Sequence, residues 1–348
     1  MWEDILGVQP VGVSSNFLDL GGHSLLVVRL MNRIEQELGH SLPLSTLFQY
    51  STVEQLAKIL DQEQVVSEPS PLVPIQPQGS QIPIFCVHPV GGTVFCYFEL
   101  AQLLGTEQPF YGLQCLGQVE GEEPLTSVED MAAVYLKAIR EVQAKGPYIL
   151  MGWSFGGMVA LEMANNLLGE GEQVAFVGLI DTYAPSQMPD EEKLSENVEV
   201  VLELFGGNLS LPWEEIRQLS QEEQVSLIWE QARQANLVPP DFETTQLERL
   251  LHIMKLNHKA MGNYSPPAYP DMITLFRAEA GSVAVSQEVV EVEPTLGWKE
   301  VATSGVEVYT IPGYHEYMVH QPNVVILAEL LKSGIEKSLS THRQNSSQ

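Results

Sequence analysis

The stretch Tyr148-Ile149-Leu150-Met151-Gly152-Trp153-Ser154-Phe155-Gly156-Gly157 sets the fold expectation for the whole chain. Four apolar β-formers lead into Gly152-Trp153-Ser154-Phe155-Gly156, a G-x-S-x-G pattern, and a helical apolar pattern over 158–168 follows. Strand, sharp turn and helix in that order describe a nucleophile elbow. The turn is strained and closely packed, so small residues must flank the serine. Glycine and serine are common, and the five residues alone are a weak signal. Their flanks make it specific and place the Ser154 hydroxyl at a sheet edge, with a helix N-terminus behind it.

Outward from the elbow, short runs rich in β-formers recur at Ile84–Val87, Val174–Ile180, 272–276 and Val306–Ile311, with helical patterns between several of them, as at 131–142. This order predicts a mostly parallel sheet covered by helices, with function at the carboxyl ends of the strands. Residues 188–261 break the alternation and carry only acidic, amphipathic helical patterns, such as 198–205 and 247–256. A stretch that long is read as a helical insertion. It is either a lid or a decorative subdomain, and its place after a candidate catalytic strand end favours the lid.

A serine nucleophile needs a base, and the base needs an orienting acid. Asp181 ends the strand after the elbow, which is its place in the hydrolase order Ser, Asp, His. The plain alternative is a turn-forming aspartate. Glu279, in Arg277-Ala278-Glu279, offers an acid one strand later. His315, in Gly313-Tyr314-His315-Glu316, follows the last strand pattern and can reach over the elbow. His320 is too far along, and His252 and His258 fall in the insertion. The oxyanion hole needs two backbone N–H groups. Phe155 supplies one, directly after the nucleophile. Val90, in His88-Pro89-Val90-Gly91-Gly92 after the first strand pattern, is the choice for the other. His88 is a rival base, but beside Pro89 its expected role is structural.

The N-terminal piece reads as all-helical. Val27, Leu30, Met31, Ile34 and Leu38 recur at helical spacing over Ser24–Leu38, and Gly39 stops the pattern. Ser51 and Glu54 form an S-x-x-E capping box ahead of Leu56, Ile59 and Leu60, and a short turn is expected over 44–48. Residues 1–7 are too short for a full first helix, which suggests truncation there. Residues 65–81, with Pro71, Pro74 and Pro77, read as an extended, semi-rigid linker. The expected division is 1–64, linker 65–81, hydrolase-like domain 82–338 with the insertion at about 188–261, and tail 339–348. Ser24, in Leu20-Gly21-Gly22-His23-Ser24-Leu25, stands at a helix start. It is either an N-cap or the site of a covalent phosphate favoured by the helix dipole.

A formal net charge of -28 repels phosphate backbones, so nucleic acid is not expected as a partner. No apolar run has the length of a membrane span, and no charged–apolar–small leader is present. The three cysteines, Cys86, Cys96 and Cys115, match no zinc or redox spacing. They read as buried free thiols, which fits a reducing cytoplasm, and no metal site is expected.

Asn16-Phe17-Leu18-Asp19-Leu20-Gly21-Gly22-His23-Ser24-Leu25-Leu26 resembles the core of the peptidyl carrier domains of nonribosomal peptide synthetases. The resemblance implies a small four-helix-type carrier bundle and a 4'-phosphopantetheine arm on Ser24, attached by a phosphopantetheinyl transferase. From residue 82 onward, His88–Gly92, Gly152–Gly157, Leu179–Pro185 and Gly313–Val319 resemble the integrated thioesterases of the same assembly lines. That implies an α/β-hydrolase fold, a catalytic Ser154, Asp181 and His315, and release of an acyl or peptidyl chain by hydrolysis or macrocyclisation. It also implies upstream condensation and adenylation, or ketosynthase-type, domains as partners. The alternatives are a proofreading thioesterase that clears mis-loaded carriers, against which the fused carrier argues, and a non-catalytic carrier scaffold, against which the full triad argues.

Overall fold

The computed structural model describes residues 1–22, 24–40, 42, 46–61, 70–118, 122–187, 213–216, 218–235, 244–281 and 293–345. Its strands are β1 Leu72–Gln76, β2 Ile84–Val87, β3 Phe110–Leu113, β4 Tyr148–Trp153, β5 Val174–Ile180, β6 Ile273–Ala278 and β7 Val306–Ile311. They pair in the order β1-β3-β2-β4-β5-β6-β7, parallel throughout except for β1 against β3. Side chains alternate across a strand, so a strand buried on both faces feeds two cores. Tyr148 and Leu150 of β4 enter one core, and Ile149, Met151 and Trp153 enter the other.

Helices cover both faces. The first core is closed by α6 Val128–Val142 and α7 Phe155–Gly169, and the second by α5 Phe98–Leu104 and α11 Asn323–Asn345. Every residue from Phe155 to Ala164 in α7 is buried. A helix this nearly apolar belongs inside a domain; its one buried carboxylate, Glu162, accepts from Tyr264 O–H at 2.9 Å, and Gly156, Gly157, Ala160 and Ala164 let it approach the sheet. The described part of the insertion is helical: α8 Trp213–Ile216, α9 Gln221–Gln234 and α10 Thr244–Asn263. The pattern at 198–205 lies outside the described residues.

The N-terminal piece packs α1 Trp2–Leu6, α2 Ser24–Leu38, α3 Thr46–Gln49 and α4 Val53–Leu60 around Phe17, Val27, Leu30, Ile34 and Leu56. Although α1 has only five residues, it delivers Trp2 edge-on to Phe17, with centroids 5.0 Å apart. Gly39 takes the left-handed conformation that ends α2. Phe48 of α3 stacks on Phe95 of the larger piece at 4.7 Å.

Four expectations are corrected. Leu72–Gln76 is not linker but the edge strand β1, where Pro74 is tolerated because one side of the strand has no partner. The capping box lies one residue later. Thr52 Oγ1 accepts from Gln55 N–H and Gln55 Oε1 accepts from Thr52 N–H, both at 3.2 Å, while Ser51 Oγ accepts from Asn16 Nδ2 at 2.9 Å. The tail expected from residue 339 continues α11 to Asn345, with Ser340 and Thr341 hydroxyls donating back to Glu336 O and Lys337 O. Cys96 is half-buried, whereas Cys86 and Cys115 are buried as expected.

The shift of the cap is testable. Thr52→Ala should cost about 1 kcal/mol at α4, read as roughly fivefold faster hydrogen exchange of its first-turn amides. Glu54→Gln should change that exchange little, because Glu54 only pairs with exposed Lys58.

Candidate active site

Parallel pairing puts the carboxyl ends of β2, β4, β5 and β6 side by side, through Val87↔Gly152, Trp153↔Ile180 and Ile180↔Phe276. Each sequence-selected group leaves the sheet at that edge. Ser154 follows β4 with φ 55 and ψ -124, a conformation that L-residues rarely adopt. Three contacts hold it there. Ser154 N–H donates to Ile180 O at 2.8 Å, Thr182 Oγ1 donates to Ser154 O at 2.9 Å, and Gly157 N–H donates to Ser154 O at 3.1 Å. A Cβ on Gly152 would lie 2.2 Å from Gly156 C, and one on Gly156 would lie 2.4 Å from Val87 O. The elbow therefore admits only glycine at both places.

Asp181 follows β5, also at positive φ (44°), and is 2% exposed. Its Oδ1 accepts from Ala278 N–H at 2.8 Å, and its Oδ2 accepts from His315 Nδ1–H at 2.8 Å. That second bond fixes the imidazole tautomer and leaves Nε2 as the basic nitrogen. His315 opens a turn of 3-10 helix after β7, held by its own N–H to Gly281 O at 2.7 Å. Its ring lies 5.4 Å from that of Trp153, the residue before Ser154. The structure thus joins His315 to Asp181 and sets both beside the elbow. Glu279 is exposed and contributes only its backbone N–H, to Ile311 O. His252 is exposed and His258 is buried, both on α10.

Phe155 is the first residue of α7, where a backbone N–H has no intrahelical acceptor. Val90 is the second residue of a turn closed by Gly92 N–H to Pro89 O at 3.0 Å, which does not use the Val90 N–H. His88 is fully buried and supports this turn. Its Nδ1–H donates to Pro89 O at 2.6 Å, and its Nε2 accepts from Tyr135 O–H at 2.8 Å. Both ring nitrogens are therefore engaged away from the elbow, in keeping with the structural role expected of it. Burial also pushes the His88 pKa down to about 4.

Sequence reasoning missed Tyr97. Its buried hydroxyl donates to Val87 O at 2.6 Å and accepts Trp153 N–H at 3.0 Å, and so stitches β2 to β4 where their ladder ends. Tyr135 was missed for the same reason: both act through contacts distant in sequence. Burial pushes the Cys86 thiol far up and the Cys115 thiol to about 12, which removes both as nucleophiles at neutral pH.

In the N-terminal piece Ser24 is the first residue of α2, while its side chain and His23 lie outside the described residues. The loop ahead of it is tightly held as far as Gly22. Asn16 Oδ1 accepts from Leu18 N–H at 2.9 Å and Gly22 N–H donates to Phe17 O at 3.0 Å, while a Cβ on Gly22 would strike Phe17 at 2.2 Å. The helix that Ser24 begins has 15 residues, and the first N–H groups of such a helix favour an anion. Among the described residues no helix is long and apolar enough to cross a membrane.

The His88 pKa gives a pH signature. The unfolded chain, with its histidine near 6.5, takes up the proton before the folded chain does at about 4. Stability from neutral His88 is complete above about pH 6.5 and falls as pH drops toward 4, by on the order of 3 kcal/mol. Urea midpoints across that range should show this component in the native sequence and lose it in His88→Gln.

Residues 82–333 match the family model described as "Thioesterase domain", and residues 1–60 match "Phosphopantetheine attachment site". The malpinin synthetase of Mortierella alpina is 33% identical over 342 residues, covering 97% of this chain and 4% of the relative. The dimodular nonribosomal peptide synthase of Bacillus subtilis (strain 168) is 31% identical over 337 residues, covering 97% of this chain and 14% of the relative. The chain thus spans a small fraction of these relatives. Among solved structures, a holo four-domain nonribosomal peptide synthetase bound to AMP and glycine aligns with TM-score 0.67 and 30% identity, over 95% of this chain and 25% of that one. The Vlm2 thioesterase domain, solved with a bound dodecadepsipeptide, shares the fold at TM-score 0.55 and 24% identity, over 76% of this chain and 97% of that one. A strained serine elbow, a histidine held by a buried aspartate and a family match over well over half of the sequence agree: the chain belongs to the thioesterase domain family, with a phosphopantetheine attachment domain ahead of it.

Proposed function

We propose that this chain ends a nonribosomal peptide or hybrid peptide–polyketide assembly line by transferring a carrier-bound acyl or peptidyl chain to Ser154 and releasing it. The observation that carries the reading is the 2.8 Å bond from His315 Nδ1–H to buried Asp181, beside the Ser154 elbow. In this reading residues 1–64 are the carrier, the larger domain begins with β1 at Leu72 and runs through α11 to Asn345, and 188–261 is its lid. The relatives are multidomain synthetases, which supports condensation, adenylation or ketosynthase-type domains as upstream partners and a phosphopantetheinyl transferase as the enzyme that loads Ser24.

Phosphopantetheine on Ser24 supplies a thiol that presents the chain as a thioester. His315 Nε2 takes the Ser154 proton as Oγ attacks the thioester carbonyl. Phe155 and Val90 N–H groups receive the developing oxyanion. As the C–S bond breaks, His315 returns the proton to the departing thiolate, and an ester remains on Ser154. His315 then deprotonates water, or an amine or hydroxyl of the chain itself, as that nucleophile attacks the ester carbonyl; the acyl C–O bond to Ser154 breaks, Oγ takes the proton back from His315, and a linear acid or a ring leaves. Asp181 holds the imidazole throughout and stabilises its charged form. Covalent linkage of the two domains raises the local concentration of the thioester at Ser154 without any further contact.

Intact-mass measurement tests the division of labour. Ser154→Ala should accept the arm and an acyl load on Ser24 but retain that load. Ser24→Ala should gain no arm yet still hydrolyse a soluble N-acetylcysteamine thioester. An arm found on Ser24→Ala would overturn the carrier assignment, and native release rates in Ser154→Ala would overturn the nucleophile. Asp181→Asn should lower kcat on the soluble thioester by on the order of 10^4-fold with the fold retained, measured by thiol release.

A further inference from the structure

One buried amide on the insertion has no part in the chemistry above. Asn257 of α10 is fully buried, and its Nδ2 donates to Val90 O at 2.8 Å across 167 residues of sequence. The Oδ1 of the same amide is buried with no hydrogen-bond donor among the described residues, and the amide lies against the Cys115 thiol. An unpaired buried acceptor costs about 1–3 kcal/mol, which offsets much of what the amide gains by satisfying Val90 O. The backbone bond this amide does make falls on the residue proposed to donate to the oxyanion.

The surroundings show the same attachment. Ile253, one turn earlier on α10, lies so close to Gly92 that a Cβ there would meet its Cγ2 at 2.9 Å. Gln118 Nε2 donates to Gly92 O at 2.6 Å, and Arg249 of α10 donates to Gln118 O at 3.4 Å. The turn is therefore gripped from two sides. His88 pins Pro89 O, which shares a peptide plane with the Val90 N–H, and Asn257 pins Val90 O on the next peptide. With both carbonyls fixed, the N–H between them has one direction.

We propose that Asn257 is a positioning residue that aims the Val90 N–H at the oxyanion, so that α10 is part of the support of the oxyanion hole as well as a cover. This rests on the serine-release reading above. Oxyanion donors act on the transition state and not on the ground state, so the effect belongs in kcat.

The test compares the native full chain with Asn257→Leu and Asn257→Ala, using kcat and KM on an N-acetylcysteamine thioester, the urea midpoint, and phosphonylation of Ser154 by a fluorophosphonate. Both variants should lose about 10- to 100-fold in kcat, below or near the loss of a whole oxyanion donor, with KM within about twofold. Asn257→Leu leaves Val90 O unbonded and should lower the urea midpoint, though less than Asn257→Ala, which also opens a cavity. Native kcat in both folded variants overturns the inference, as does a kcat loss that is confined to Asn257→Ala and follows its lower urea midpoint. A native chain that neither turns over the thioester nor takes the phosphonate overturns the serine-release reading itself, and this inference with it.

Discussion

A carboxylate with 2% exposure must have donors for its charge, and both oxygens of Asp181 find them in different parts of the chain. Oδ1 takes the N–H of Ala278 at the end of β6, and Oδ2 takes the imidazole N–H of His315 beyond β7. These two bonds require β5, β6 and β7 to be neighbours in that order, and the loop after β7 to fold back over the edge. The observed strand order meets the requirement. Sheet topology and the proposed acid–base chemistry thus meet at a single side chain.

Strain is concentrated at the same edge. Among the described residues, positive φ outside glycine occurs at Ser154, Asp181 and Leu296, and two of these are the proposed nucleophile and acid. Each unfavourable backbone is offset by the surrounding parallel ladder and by side chains that reach across it. Tyr97 clamps β2 to β4 just before the elbow, and His88 with Tyr135 clamps the turn that presents Val90. The interior glycines follow from the same packing, since a β-carbon at Gly152 or Gly156 has no space. Rigidity of this kind keeps polar groups aimed before substrate arrives.

The legible part of this fold was local. Val174–Ile180 is apolar at every position and is buried at every position, so its bounds were plain from sequence. Ser154, Asp181 and His315 each stand at the end of a strong strand pattern, which is why they could be chosen without coordinates. What failed to show was short or non-local. Phe110–Leu113 has four residues and contains a glycine, and Leu72–Gln76 hides behind its proline. Thr52 and Ser51 are adjacent hydroxyls with Gln55 and Glu54 three residues on, so only the bonds themselves decide which pair caps α4. Tyr97, Tyr135 and Asn257 act on backbone or imidazole groups 10, 47 and 167 residues away, a separation that leaves no trace in periodicity.

Convergence of one hydroxyl, one imidazole and two backbone donors is the claim on which the functional account stands. A crystal structure of the chain after reaction with a fluorophosphonate tests it most directly, because the adduct reproduces the tetrahedral geometry. The account places phosphorus on Ser154 Oγ, with a phosphonyl oxygen about 2.7–3.1 Å from the Val90 and Phe155 nitrogens and His315 still bonded to Asp181. Phosphorus on another residue, or a phosphonyl oxygen turned away from both amides, would contradict it.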